Sequence, residues 1–321
     1  RTLATLFAMP DRARRWRLLH QKRAMHVALL DALAHLIAGR YIRARKGAEL
    51  VLARVQAMAA GGEAPSYAGR LTVLAHLLAA ESAQVLQDRA AREEHFTLAL
   101  GFAAQRDAQD TRDGLQLRAA RWALEDRDAS RALQWLDDLP QGAARRTIAL
   151  RLRLKAARLV GQTLQSLETA RLLAKHRAFS ALAAHSLLQG LARELVQGAH
   201  DPDQMQAAWN QLDPAERDMP DVAIAAARRL QTLGGDVALA RQWLVPMWER
   251  MVGVSPSLTE AQRLGVIRVL EQGFALSDGT PQADWLQRIE QAQAQQPGDA
   301  ALQYLAGITC LRLQLWGKAQ Q

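Results

Sequence analysis

The chain has 321 residues, 49% hydrophobic and 23% charged, a globular balance with enough apolar residue for a sizeable core, built as two ordinary domains or one continuous solenoid. Its single cysteine, Cys310, excludes an internal disulfide and a cysteine-rich metal site, and no apolar run reaches the roughly eighteen residues of a membrane span. The formal net charge of +9 is local: residues 1 to 54 carry twelve Lys and Arg against Asp11, Asp31 and Glu49, and the remainder is neutral.

Residues 1 to 9 form an apolar stub that Pro10 is expected to break from the basic run D-R-A-R-R-W-R-L-L-H-Q-K-R. Residues 1–23 read as a membrane-proximal segment after a removed anchor. Arg12, Arg14, Arg15, Arg17, Lys22 and Arg23 suit an anionic membrane surface, where each basic residue contributes about 1 kcal/mol, and Trp16 suits the headgroup level. A solvated basic helix face accounts for the same residues without a membrane. A nucleic-acid patch has no helix-turn-helix, zinc finger or aromatic RNA platform to support it, so no nucleic-acid partner is expected. The chain starts at Arg1 and stops partway into a predicted helix, and the natural protein is expected to extend both ways.

From Met25 apolar residues recur at three- and four-residue spacing with no sustained alternation, which predicts an all-α chain. Over residues 24–178 the spacing predicts four helix pairs. The first opens near Met25, turns at Gly39 and Arg40 and returns with Tyr41 and Ala44; a loop with Gly61, Gly62, Pro65 and Ser66 follows. The second opens near Val73, turns near Gln87 and Asp88 and returns through Phe96 and Ala99. The third opens near Asp113 and ends at Pro140; the fourth opens near Thr147 and turns at Gly161.

Residues 179–220 read as an irregular helical connection, with Asp213, Pro214 and Glu216 as N-cap, first helical residue and capping-box glutamate. Residues 221–321 hold a pair from Asp221 that turns at Gly234 and Gly235, a pair from Val266 closed by Pro297, and a truncated last unit. Ser257 and Glu260 are a second candidate capping box.

The last stretch, P-G-D-A-A-L-Q-Y-L-A-G-I-T-C-L-R-L-Q-L-W-G-K-A from Pro297 to Ala319, resembles a tetratricopeptide repeat. Small Ala306 and Gly307 sit mid-helix, and Trp316 and Ala319 are placed to open a returning helix. The same small residues recur as Ala79, Ala80, Ala119 and Ala120, and Asp113 to Thr147 is one 34-residue period. The resemblance implies a right-handed α-solenoid of antiparallel helix pairs, in which the first helix of each pair lines a concave groove. Carried onto this chain, the groove set is Ile148, Arg151, Lys155 and Arg158, with Arg121 and Arg229 on other units. Such a basic patch suits an acidic peptide, a carboxylate or a phosphate, although Leu152 occupies the place where a carboxylate clamp keeps asparagine.

No reaction is named by the sequence. There is no glycine loop for phosphate, no HExxH, and no Cys-Pro pair for haem, since Leu311 follows Cys310; the eight histidines are scattered. A binding protein rather than an enzyme is expected, with no catalytic residue, no metal and no required cofactor.

Over nearly its whole length the chain resembles the proteobacterial HemY family, through R-R-W-R after an apolar stub, L-A-H-L-I-A-G-R-Y-I-R-A, L-R-L-R-L-K-A-A-R-L-V-G and L-W-G-K-A-Q-Q. This resemblance implies a tetratricopeptide part on the cytoplasmic face of a bacterial inner membrane, upstream membrane helices, and a role late in protohaem IX biosynthesis. With the repeat geometry and the charge split, the expected role is a scaffold or adaptor for haem-pathway enzymes, capturing them in the concave groove. A haem or porphyrin carrier, with groove arginines on propionates and a histidine on iron, and a general envelope assembly adaptor stay open beside it. The flavin-dependent oxidase that shares the family's name needs a dinucleotide-binding fold, for which strands and glycines are missing here.

Overall fold

The structure, a computed structural model, describes residues 2–104, 109–253, 258–276 and 283–315. All regular elements among them are α-helices, seventeen in number, and none is long and apolar enough to cross a membrane. The chain packs as two units, residues 1–156 and 157–321.

The first unit contains α1 (Thr2–Ile37), α2 (Tyr41–Ala60), α3 (Ala68–Val85), α4 (Arg89–Ala103), α5 (Gln109–Glu125), α6 (Ala129–Asp137), the single turn α7 (Gln141–Ala144) and the first turns of α8 (Thr147–Val160). From α1 to α6 each helix packs on the next, and α1 also touches α3 as α3 touches α5. Small residues permit these crossings. A Cβ on Gly47 would stand 3.0 Å from the Cβ of Ala32, so α1 and α2 meet backbone to backbone there. Met25, Val51, Val55, Met58 and Leu71 then fill the wider gaps of one core cluster. In the next cluster Phe96 is held edge-on by Trp122 and Trp135 at 5.5 and 5.6 Å, contacts of about 0.5–1.5 kcal/mol each beyond the area they bury.

The second unit contains α9 (Thr163–Lys175), α10 (Ala181–Gln197), α11 (Pro202–Asn210), the single turn α12 (Pro214–Arg217), α13 (Pro220–Thr232), α14 (Val237–Val252), α15 (Glu260–Leu276), α16 (Ala283–Gln295) and α17 (Ala300–Arg312). Here α9 packs on α10, α13 on α14, α14 on α15 and α16 on α17, with added contacts from α10 to α13, from α13 to α15 and from α15 to α17. Gly265 and Gly273 face Ile224 and Gln231 at distances that leave no room for a methyl group, so α13 and α15 are also closely apposed. Cys310 is buried in α17.

One turn recurs through both units. The first helix of a pair ends in a residue of positive φ (Gly39, Gln87, Arg127, Gly161 or Gly234), and the next backbone N–H reaches back five residues. These bonds run from Arg40 to His35, Asp88 to Ala83, Asp128 to Ala123, Gln162 to Ala157 and Gly235 to Leu230, all at 2.8–2.9 Å. This closes the orphan carbonyls of the helix end in the Schellman manner. In three pairs an aspartate then opens the return helix: Asp88 accepts from the Ala91 N–H, Asp128 from the Arg131 N–H and Asp236 from the Ala238 N–H.

Pro10 does not break the N-terminal segment, because α1 is continuous from Thr2 to Ile37; a proline removes one backbone bond and the turns on either side keep theirs, as at Pro246 inside α14. Ser257 lies outside the described residues, and α15 is instead capped by Thr259 and Gln262, each side chain bonded to the other's backbone N–H. The stretch 179–220 holds one ordinary 17-residue helix, α10, which packs on α9 and α13, followed by two short ones. Its Asp213–Glu216 capping box is present as read, with the Asp213 N–H donating to Glu216 Oε2 at 2.9 Å. Trp316 and Ala319 lie outside the described residues.

Candidate functional site

Helix α8 turns Ala149, Leu150, Leu154, Ala156 and Ala157 inward, and this fixes what it shows outside. Ile148, Arg151, Lys155 and Arg158 are all exposed, at spacings that keep them on one face of the helix. Arg153, on the flank, is drawn away from that face: its guanidinium donates to Asp137 Oδ1 at 2.5 Å and to the Leu136 carbonyl at 2.8 Å. Arg158 lies 3.8 Å from Glu194, and both side chains are about half exposed, so this pair is screened and adds little. The result is a row of cations beside an exposed isoleucine, able to take an acidic or anionic partner without first breaking a buried ion pair at Arg158.

The other two expected groove residues are held by the protein's own groups. Glu81 is 8% exposed, and its carboxylate accepts from Arg118 at 2.6 Å and from Arg121 at 2.7 Å; Arg121 also lies 3.4 Å from Glu125. Arg229 donates through both Nε and Nη2 to the Ala199 carbonyl, at 3.0 and 2.6 Å, tying α13 to the chain after α10. The predicted set therefore divides: one row on α8, and two arginines engaged in packing.

At the N-terminus, Arg14 donates to Glu63 at 2.8 Å, Trp16 stacks on His20 with centroids 5.5 Å apart, and Arg15, Trp16, Arg17 and Arg23 are exposed, with Lys22 half-buried. Arg12 falls within α1; its side chain lies outside the described ones.

Sequence reasoning missed one pairing of functional groups. His76 on α3 and His95 on α4 meet Nδ1 to Nδ1 at 3.0 Å, and Phe102 stacks on His76. Burial, reinforced by His95 and opposed by Glu94, lowers the His76 pKa to about 4, so its ring is neutral at physiological pH. The 19-residue separation is not a helical ligand spacing, and only the antiparallel return of α4 along α3 brings the two rings together.

In the second unit a cleft of about 420 Å³ lies against the stacked pair Trp209 and Trp243, 4.5 Å between centroids, with Gln206, Asn210 and Gln242 on its walls. Arg217 at its edge donates to the carbonyls of Trp209 and Asn210. Among the described residues no group of three or more His, Cys, Asp or Glu is placed to hold a metal ion. Neither a protein-family model nor a curated protein matches the chain.

Proposed function

We propose that this protein is a non-enzymatic interaction scaffold, a tetratricopeptide-like right-handed solenoid that captures partner proteins on a basic face. In this reading it works on the cytoplasmic side of a bacterial inner membrane, in a late step of protohaem IX biosynthesis, and its partners are enzymes of that pathway. The observation that carries the binding role is the exposed row Ile148, Arg151, Lys155 and Arg158 on α8. Helix pairs that contact first helix to first helix, α1 with α3 with α5 and α13 with α15 with α17, support the repeat reading. The pathway and the membrane come from the sequence resemblance, and the basic residues from Arg12 to Arg23 would hold the chain at an anionic surface.

The test is crosslinked capture of the membrane-bound protein, identified by mass spectrometry, beside a variant with Arg151→Glu, Lys155→Glu and Arg158→Glu. A thermal melt of the variant controls for folding, because a glutamate at 158 would face Glu194. Haem-pathway enzymes recovered with the wild type and lost with the variant support the proposal. The same partners in both would remove α8 from the binding face and leave the scaffold. Absence of any haem-pathway enzyme would move the protein to general envelope assembly.

A further inference from the structure

Only one of the two apolar faces of α1 is covered. Leu18, Met25, Ala28 and Leu29 pack into the core with α2 and α3, and Ala32 lies against Gly47. On the opposite side Trp16, Leu19, Val27, Leu30, Leu33 and Ile37 form a second apolar row, and all six are exposed, Leu30 at 64% and Ile37 at 80%. At 100° per residue these six fall within an arc of about 120°, which exposed Arg23 and His26 also enter between Leu19 and Val27, and at 1.5 Å per residue the row is about 32 Å long. A helix that is apolar on both sides is normally covered on both.

The charges around the row select what covers it. From Arg14 to Lys46 Asp31 is the only acidic residue; exposed Arg15 and Arg17 lie at one end of the row, exposed Arg23 lies within it, and exposed Arg40, Arg43 and Lys46 follow Ile37 in the chain. A second copy of α1 laid on this row would bring cations against cations in either direction. An anionic bilayer meets both the apolar row and the basic ends, with Trp16 at the depth tryptophan prefers.

We infer that the outward face of α1 from Trp16 to Ile37 lies flat in the headgroup layer of an anionic membrane. This rests on the membrane-surface part of the proposed function and extends it, since contact moves from a basic segment ending at Arg23 to a helix held parallel to the bilayer by inserted side chains.

The experiment uses the full 321-residue chain and vesicles of phosphatidylcholine with 30% phosphatidylglycerol, beside pure phosphatidylcholine. A Leu33→Cys variant is labelled with an environment-sensitive fluorophore, which is feasible because the one native cysteine, Cys310, is buried. The expected result is binding to the anionic vesicles only, a blue shift of the label, and at least a tenfold weaker partition for the Leu30→Gln/Ile37→Gln double variant. Binding that falls with Arg15→Gln/Arg17→Gln/Arg23→Gln but is unchanged by Leu30→Gln/Ile37→Gln, with no blue shift, would overturn the flat-helix inference and leave the basic segment at the membrane. No binding to anionic vesicles would overturn both. A concentration-dependent dimer abolished by Leu30→Gln/Ile37→Gln would assign the row to a second copy instead.

Discussion

Glu216 is only 2% exposed, and three donors converge on its carboxylate: Arg171 Nε at 2.9 Å, Arg171 Nη2 at 2.6 Å and the Asp213 N–H at 2.9 Å. The hydrogen bonds to Glu216 are the largest cause of the raised Arg171 pKa. Removing the carboxylate by Glu216→Ala leaves Arg171 with only Asp213 and a carbonyl, and chemical denaturation should register a loss of about 3 kcal/mol. His76 gives a pH dependence of definite sign. Its folded pKa of about 4 lies below the unfolded value of 6.5, so the unfolded chain binds the proton first. Stability should fall as pH drops from about 6.5 to about 4, by on the order of 3 kcal/mol, and level off below. His76→Gln should flatten that slope in melts taken across the same range; an unchanged slope would place the protonation elsewhere. Arg121 shows where reading residues from sequence stops. Its helical register is legible, but the Glu81 carboxylate that claims it is 40 residues away and is brought there only by packing of α3 on α5.

At the scale of the element, helix order and type were read well because each pair obeys three- and four-residue periodicity, and the turns at Gly39, Gly161 and Gly234 announced themselves by glycine. The turn at Arg127 has the same backbone without the same residue. An arginine at φ +64 carries a left-handed conformation that costs a non-glycine residue about 1 kcal/mol, and nothing in the sequence signals it. Arg127→Gly should therefore raise stability by about 0.5 kcal/mol, less than the full strain because glycine also loosens the unfolded chain. Gly161→Ala should lower stability by about 1 kcal/mol through backbone strain alone, since a Cβ there meets nothing within 4 Å. Matched melts of the two variants check both signs. The start of α15 was misplaced for a related reason. The run S-L-T-E-A-Q holds two overlapping boxes, Ser257 with Glu260 and Thr259 with Gln262, and the pattern is identical in both. The box in use sits at Thr259 and Gln262, where the helix begins.

For the molecule as a whole, the all-helical class follows from composition and period, whereas the row on α1 does not, because a two-sided apolar helix looks the same in sequence whether its second side is covered or bare. The distribution of cations carries a separate message. The chain has 41 Lys and Arg, yet only Lys22, Lys46, Lys155, Lys175 and Lys318 are lysines. Among the described residues the ion pairs that tie helix to helix are all made by arginine: Arg92 with Asp126, Arg118 and Arg121 with Glu81, Arg171 with Glu216, Arg263 with Asp299. A guanidinium stays protonated to about pH 12, whereas an ammonium is already half deprotonated at about pH 10.4. The fold should consequently tolerate alkali: its melting temperature should move by no more than about 2 °C between pH 8 and pH 10.5, and exhaustive acetylation of its amines should leave it equally intact. A pronounced alkaline transition in that interval would mean that some helix contact depends on an amine after all.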